Sequence, residues 1–455
     1  MTINPQIFRE YDIRGVCGVD LSEEIVQQIA KAFTVYLRGK KKHNCVVVGH
    51  DGRLTSRAYA HAAMDGLTGC GVNVIDLGQS PTPLSYYALF NLPVDGGLII
   101  TGSHNPKEYN GIKVAVGNAT IYGKQIQQLA KIAARDTFPK ARGPVTVTRM
   151  DIQPKYMRRV LRGIDIKRRL KVVVDAGNGV AGPVAVPLYE KLGCEVIPLY
   201  CDVDGNFPNH HPDPTQRASL RKLIAAVKRN KADCGIAFDG DGDRIGAVDN
   251  KGEVVWGDRL LILFARAILK KRPGATIIGE VKCSRMLYAD IEKHGGKAIM
   301  WRTGHSLLKA AMKKFNAELA GEMSGHIFIK HRWYGFDDAI YAGARLLEIL
   351  AAGRKSLNAH LADVPRTHVT EEMRIDTDEA RKFDIVRQAT RYFQKELGLE
   401  VNTIDGARIE FPDGWGLLRA SNTSPKLVMR CEADSPKRLR EIKTLIETKV
   451  EELNV

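Results

Sequence analysis

Three aspartates separated by single glycines, Asp239, Asp241 and Asp243, stand in the stretch FDGDGDR. Alternate residues of an extended segment face one way, and the glycines let the backbone curl. The three carboxylates therefore converge on an oxygen cage of the kind that suits Mg²⁺. A calcium loop of the EF-hand type needs glycine and glutamate where this chain has Arg244 and Asn250, which sets calcium aside. A second stretch, LIITGSHNP, runs an apolar strand into Ser103. A serine hydroxyl is a weak nucleophile that needs a metal or a base, and beside a bound metal it could carry a phosphoryl group. His104 points away from Ser103 in an extended chain and is expected to hold the turn, whereas Lys113 in YNGIKV could reach back over the loop. GEMSGH supplies Glu322, Ser324 and His326 at alternate positions, a side of a loop able to grip neighbouring sugar hydroxyls. RASNTSP offers Arg419, Ser421, Asn422 and Thr423, by composition either a phosphate cradle or a plain hairpin turn.

These loops must be positioned, and the chain repeats one plan to do so. A short apolar strand leads into a polar loop at CVVVGHDGR, KVVVDAGNG and TIIGEVKCS. Each is followed by a helical segment and a second strand (VNVIDLG, CEVIPLY, KAIMWRTG), then by a third strand that enters one of the special loops. Strand–helix–strand units of this length imply parallel sheets covered by helices, with function at the carboxyl ends of the strands. Alternating segments after the third strand, GIKVAV and RIGAVDNKGEVVW, are expected as antiparallel edge strands, making the sheets mixed. The expectation is three related mixed-sheet α/β domains, over 1–150 (serine), 151–254 (aspartates) and 255–366 (sugar loop). A smaller α+β domain over 367–455 carries the phosphate cradle.

At 455 residues the chain exceeds one hydrophobic core. Eight scattered cysteines without CxxC spacing, no signal-like start and no long apolar run point to a cytoplasmic protein without a membrane partner. The net charge of +16 raises nucleic acid as a partner. The basic stretch from Lys155 to Lys171, however, has little aromatic interleaving and reads better as a solvated face, and an anionic small substrate would use the same field. DAGNGVAG contains G-x-G-x-x-G after a strand, but a tight strand-to-helix turn with Pro183 opening the helix explains it as well as a dinucleotide site does.

The four loops in this order resemble those of the α-D-phosphohexomutase family, over essentially the whole chain. The resemblance implies four domains around a central cleft, with phosphoserine at Ser103 and Mg²⁺ held by Asp239, Asp241, Asp243 and a phosphoserine oxygen of Ser103. EYDIRG also matches, bringing Tyr11 and Arg14 to the cleft, Arg14 among the catalytic set. Arg244, Lys282, His305 and Arg430 match further substrate-contacting positions. GEMSGH with RASNTSP looks most like the bacterial phosphomannomutase/phosphoglucomutase branch. Gly102 departs from the alanine of many relatives, a change expected to be neutral. The implied reaction moves phosphate between the 1- and 6-positions of a hexose through a hexose 1,6-bisphosphate, with Lys113 and His326 as acid–base candidates. A monomer acting on hexose phosphates is expected, tolerant of mannose and glucose and poor with glucosamine. Rival readings are a phosphoglucosamine mutase, a Mg²⁺-dependent sugar phosphatase and a basic nucleic-acid-binding protein.

Overall fold

Short valine- and isoleucine-rich runs bury both faces, as strands of a helix-covered parallel sheet must. In the computed structural model, which describes residues 3–454 apart from 41, 136 and 422–424, these runs are the strands Cys45–His50, Lys171–Asp175 and Thr276–Glu280. Each is the centre of a parallel trio. Its partners are Asn73–Gln79 and Gly96–Ile100, Glu195–Leu199 and Cys234–Phe238, and Lys297–Trp301 and Leu319–Gly321, respectively. Beyond each third strand an antiparallel one is added: Tyr109–Val116, Ile245–Asp249 and Ile327–Ile329. The order second, first, third, antiparallel thus occurs three times.

The expectation for GIKVAV needs correcting. The strand Tyr109–Val116 is interior, because Ile13–Val16 pairs with its outer side in the register Ile13↔Ile112 and Arg14↔Gly111. An uncovered edge leaves backbone groups unpaired, and the four-residue IRGV, too short to show a period, pairs with it. That pairing also carries Arg14 to the serine loop. The glycines of DAGNGVAG have a packing cause. A Cβ on Gly179 would stand 2.7 Å from the carbonyl oxygen of Gly240, so the turn lies directly under the aspartate loop.

Among the described residues the fourth unit is a six-stranded antiparallel sheet. The helices Lys382–Arg391 and Pro436–Leu453 cover one face, placing Ile385, Ala389, Ile442 and Ile446 on Ile409, Leu418 and Met429. The protein therefore has three related α/β domains and a C-terminal α+β domain. One apolar core runs continuously from Val47 and Ile99 through Val172 and Ile236 to Leu260, Ile277 and Leu319. The fourth domain has its own core and meets the third in a small cluster, Val281 against Trp415 and Leu417. Among the described residues no helix is long and apolar enough to cross a membrane.

Candidate active site

The strand Gly96–Ile100 ends because the next residues turn to other partners. Gly102 donates its N–H to Asp51 at 3.0 Å, Ser103 donates its N–H to the Thr101 hydroxyl at 2.8 Å, and Ser103 adopts φ of +49°. A left-handed serine is uncommon and is held only where the surroundings over-determine it. Arg53 supplies that constraint. Its buried guanidinium donates to the carbonyl oxygens of Ser103, Asn105, Pro106 and Tyr109 at 2.6–2.9 Å. The turn breaks the alternation expected at His104, whose Nδ1 lies 3.1 Å from Ser103 Oγ instead of pointing away. Burial, with Arg244 and Arg14 alongside, holds the His104 imidazole well below its usual range, hence neutral.

Gly102 is likewise not interchangeable with alanine here. An added Cβ would meet Arg53 Nε at 2.4 Å and the Tyr109 carbonyl oxygen at 2.9 Å, so the guanidinium that fixes the loop would have to move.

Ser103 Oγ donates to Asp239 Oδ2 at 2.9 Å, joining the first domain to the aspartate loop. Asp239, Asp241 and Asp243 are fully buried and present oxygens within 4.8 Å of one another. Asp239 Oδ1 accepts the N–H groups of Asp243 and Arg244 at 3.1 Å, and Asp241 Oδ2 accepts from Thr82, Thr101 and Lys113 at 2.6–3.1 Å. Lys113 also pairs with Asp243. Burial opposes the Lys113 charge, but Asp241 and Asp243 outweigh it and keep the ammonium protonated well above its usual range. Lys113 and Arg244 together do not balance three carboxylates. Burial, then the charges of Asp241 and Asp243, push Asp239 well above the carboxylate range, while Asp241 Oδ1 and Asp243 Oδ1 are buried without a hydrogen-bond partner among the described residues. Hard oxygen donors, excess negative charge and unused lone pairs fit a Mg²⁺ ion.

The third domain closes over this centre. Arg244 Nε donates to His326 Nε2 at 3.0 Å, and His305 stacks on His326 with ring centroids 5.7 Å apart. Ser324 donates to Glu322 Oε2 at 2.9 Å, and the N–H of Gly304 donates to Glu322 Oε1 at 2.7 Å. Tyr11 donates its hydroxyl to the Thr303 carbonyl oxygen at 2.8 Å, while Arg14 pairs with Asp12 and Asn105, its Nε lacking a hydrogen-bond partner among the described residues.

The third and fourth domains add cations along their seam, each held by a carboxylate or a carbonyl oxygen. Arg419 pairs with Asp405 at 3.1 Å, and Asp405 also accepts the N–H of Thr303. Lys282 Nζ pairs with Glu372 at 3.0 Å, and Arg430 donates to the Lys282 carbonyl oxygen at 2.6 Å. Arg419, Ser421 and Arg430 lie on or beside the antiparallel strands Gly414–Ala420 and Lys426–Ala433, so the loop does connect a hairpin. Asn422 and Thr423 lie outside the described residues.

One acid per repeat escaped the sequence reading. Asp51, Asp175 and Glu280 end the first strand of each repeat or directly follow it, and all are buried. Each accepts the N–H two residues on, from Arg53, Gly177 and Lys282 at 2.9–3.0 Å, and each reaches a second segment. Asp51 holds Gly102, Asp175 holds His210, and Glu280 accepts from Thr303 and Met323. Aligning VVVGHD, VVVD and IIGE would have shown the recurrence.

Four family models match the chain in succession, phosphoglucomutase/phosphomannomutase α/β/α domains I, II and III and C-terminal domain, at residues 5–140, 154–252, 256–368 and 372–449. The phosphomannomutase/phosphoglucomutase of Pseudomonas aeruginosa is 48% identical over 446 residues, 98% of this chain and 95% of its own. A phosphoglucomutase of Neisseria gonorrhoeae is 44% identical over 451 residues, 99% of this chain and 98% of its own. The crystal structure of a phosphoglucomutase/phosphomannomutase family protein from Burkholderia thailandensis matches with a TM-score of 0.92 at 43% identity, covering 99% of this chain and 98% of that one. With all four domain models matched in order and relatives this similar along nearly its whole length, the chain belongs to the phosphoglucomutase/phosphomannomutase family.

Proposed function

We propose that this protein interconverts hexose 1-phosphates and 6-phosphates through a phosphorylated Ser103 and a hexose 1,6-bisphosphate. The observation that carries the reading is the contact of Ser103 Oγ with Asp239 inside a buried triad of aspartates. In the forward half-reaction the sugar hydroxyl oxygen bonds to phosphorus, the bond from phosphorus to Ser103 Oγ breaks, and the hydroxyl proton passes to His326 Nε2 as Arg244 gives way. Asp239, Asp241, Asp243 and a phosphoserine oxygen would hold Mg²⁺, which supplies neutralisation of charge on the transferred group when bound. Lys113, held charged by two aspartates, serves the same centre as a fixed cation, and the serine oxygen leaves beside His104 Nδ1. Glu322 and Ser324 grip the sugar, with Tyr11, His305 and Arg244 around it. Arg14 helps to hold the reacting phosphate, and Lys282, Arg419, Ser421, Asn422, Thr423 and Arg430 receive the other.

The named relatives divide between phosphomannomutase/phosphoglucomutase and phosphoglucomutase, which supports acceptance of both neutral sugars. The bisphosphate must bind in two orientations that roughly exchange hydroxyls 3 and 4, so one gripping pair serves both, whereas a group tuned to carbon 2 would fail in one. A glucosamine ammonium would meet Lys282 and Arg14. The eight free thiols suit a reducing cytoplasm. The test is a coupled assay on mannose, glucose and glucosamine 1-phosphates at matched Mg²⁺ and bisphosphate. The two neutral sugars should differ by ~1–2 kcal/mol in kcat/KM. A strong preference for glucosamine 1-phosphate would overturn the substrate assignment, and no turnover of any hexose phosphate would overturn the function.

A further inference from the structure

Between the first and third domains lies a buried group of side chains to which the transfer steps assign no role. Asp337 is fully buried, just before the helix Ala339–Ala351, and Lys309 Nζ donates to its Oδ1 at 2.9 Å. The same ammonium sits 4.1 Å over the ring of Tyr86, a residue of the first domain. Among the described residues Asp337 Oδ2 has no hydrogen-bond partner, and neither has His326 Nδ1, which lies 3.4 Å from it. The His326 ring is fixed on its faces by His305 and Phe328, which stack at centroid distances of 5.7 and 6.2 Å. Arg244 Nε donates to its Nε2. A nitrogen that accepts an N–H carries the lone pair, so the ring N–H belongs on Nδ1, facing Asp337 Oδ2 at 3.4 Å and Asp243 Oδ1 at 3.6 Å.

Donor atoms of Asp243, His326 and Asp337 lie within 4.8 Å of one another, which would also suit a second cation. Charge argues against that occupant. Lys309 already sits on Asp337 and Lys113 on Asp243, so a further dication would face two ammonium groups across two neutralised carboxylates.

We propose that Asp337, clamped by Lys309, is a positioning residue for His326: it holds the ring with Nδ1–H inward and the Nε2 lone pair toward Arg244 and the reacting hydroxyl. The proposal rests on the reading of His326 as the proton acceptor. It assigns Lys309 a second task, since that side chain bridges Asp337 of the third domain and Tyr86 of the first. The aim of the imidazole is thereby tied to the docking of the two domains, which Thr120 reinforces by donating to Ser306 at 2.9 Å. An amide at 337 would keep a carbonyl oxygen for Lys309 and turn its NH₂ toward Nδ1. That favours the tautomer with the proton on Nε2, where it opposes the Arg244 N–H.

The test compares wild type with Asp337→Asn and Lys309→Met in the full-length protein, by kinetics on glucose 1-phosphate and by two-bond ¹H–¹⁵N spectra of ¹⁵N-histidine protein. The His326 signal is assigned by its loss in His326→Gln. Expected is a fall in kcat of about 10²-fold, at the lower end of what a positioned base contributes, with KM within twofold. Phosphate on Ser103 should be unchanged, and the His326 tautomer should shift from Nδ1–H in wild type toward Nε2–H in Asp337→Asn. A KM that rises with kcat unchanged, or a wild-type spectrum with the proton on Nε2, overturns the positioning role. So does wild-type kcat in Lys309→Met or in Asp337→Asn. The tautomer measurement needs no turnover, so an enzyme inactive on every hexose phosphate would overturn the reading of function while the spectra still judge the geometry.

Discussion

The junction of the first two domains and the edge of the fourth carry the same kinds of side chain and use them differently. At the junction, Ser103, Lys113 and the three aspartates are buried, cross-bonded between domains and backed by one continuous apolar core. At the edge, Lys282 and Arg419 are held by Glu372 and Asp405, and the domain bearing Arg419 meets its neighbour through a small apolar cluster and polar contacts. Chemistry needs donors already aimed, because reorganisation adds to the barrier. Recognition of a phosphate can start from cations paired with carboxylates, provided the anion replaces those partners, and a small interface leaves the domain free to adjust.

The comparison is broken most severely at the junction. Ser103→Ala removes the proposed phosphate carrier, and Asp241→Asn removes both a proposed metal ligand and the carboxylate partner of Lys113, Thr82 and Thr101. Each should lower kcat by at least ~10²–10³. Excess chelator should do the same to wild type, and peptide mapping should find phosphate on Ser103 alone. Gly102→Ala tests whether the loop is as tightly held as Arg53 implies. Overpacking of this kind costs ~1–3 kcal/mol, so the apparent Tm should fall by a few degrees and kcat by more than KM rises.

At the edge the two signs separate. Arg419→Ala loses a charge-assisted contact of ~1.5–3 kcal/mol and should weaken apparent substrate binding about ten- to a hundredfold with a smaller change in kcat. Glu372→Gln frees Lys282 from its carboxylate and should lower KM by roughly threefold at low salt, because such partly exposed pairs are worth no more than ~1 kcal/mol. If both substitutions raise KM, the carboxylates belong to the binding site and the contrast fails.

The smallest effect concerns the loop behind Ser103, which Asp175 pins through His210. Both His210 nitrogens face acceptors, Asp175 at 3.0 Å and the His211 carbonyl oxygen at 2.9 Å. Burial opposes the imidazolium, yet the Asp175 contact outweighs it and raises the histidine above its usual value. The associated stability is fully present below about pH 6.5 and is lost as pH rises through the folded value. Asp175→Asn should therefore lower the apparent Tm more at pH 5.5 than at pH 8, by about 2 °C. Equal losses at both pH values would mean that the pair acts without its charge.

Much of this was legible in the residues. Valine runs at repeat spacing, glycine-punctuated acids and the serine at a strand end report local preferences, and the threefold plan follows from them. The acids Asp51, Asp175 and Glu280 were legible too, had the repeats been aligned on their last strand residue. The role of Arg53 was not, because its four acceptors are carbonyl oxygens, which every residue carries and no spacing marks.

What the sequence determined by itself is what depends on neighbours along the chain: the strands, the helices between them, and loops of fixed chemistry at the strands' carboxyl ends. What only the tertiary structure decided is which of those groups face each other. The left-handed turn at Ser103 brings His104 to its hydroxyl, the short strand Ile13–Val16 delivers Arg14, and Lys309, Asp337 and Tyr86 meet from separate elements around His326. Charge balance and hydrogen-bond satisfaction among buried groups are properties of distances in space. A chain read one residue at a time contains the charges but not the distances between them.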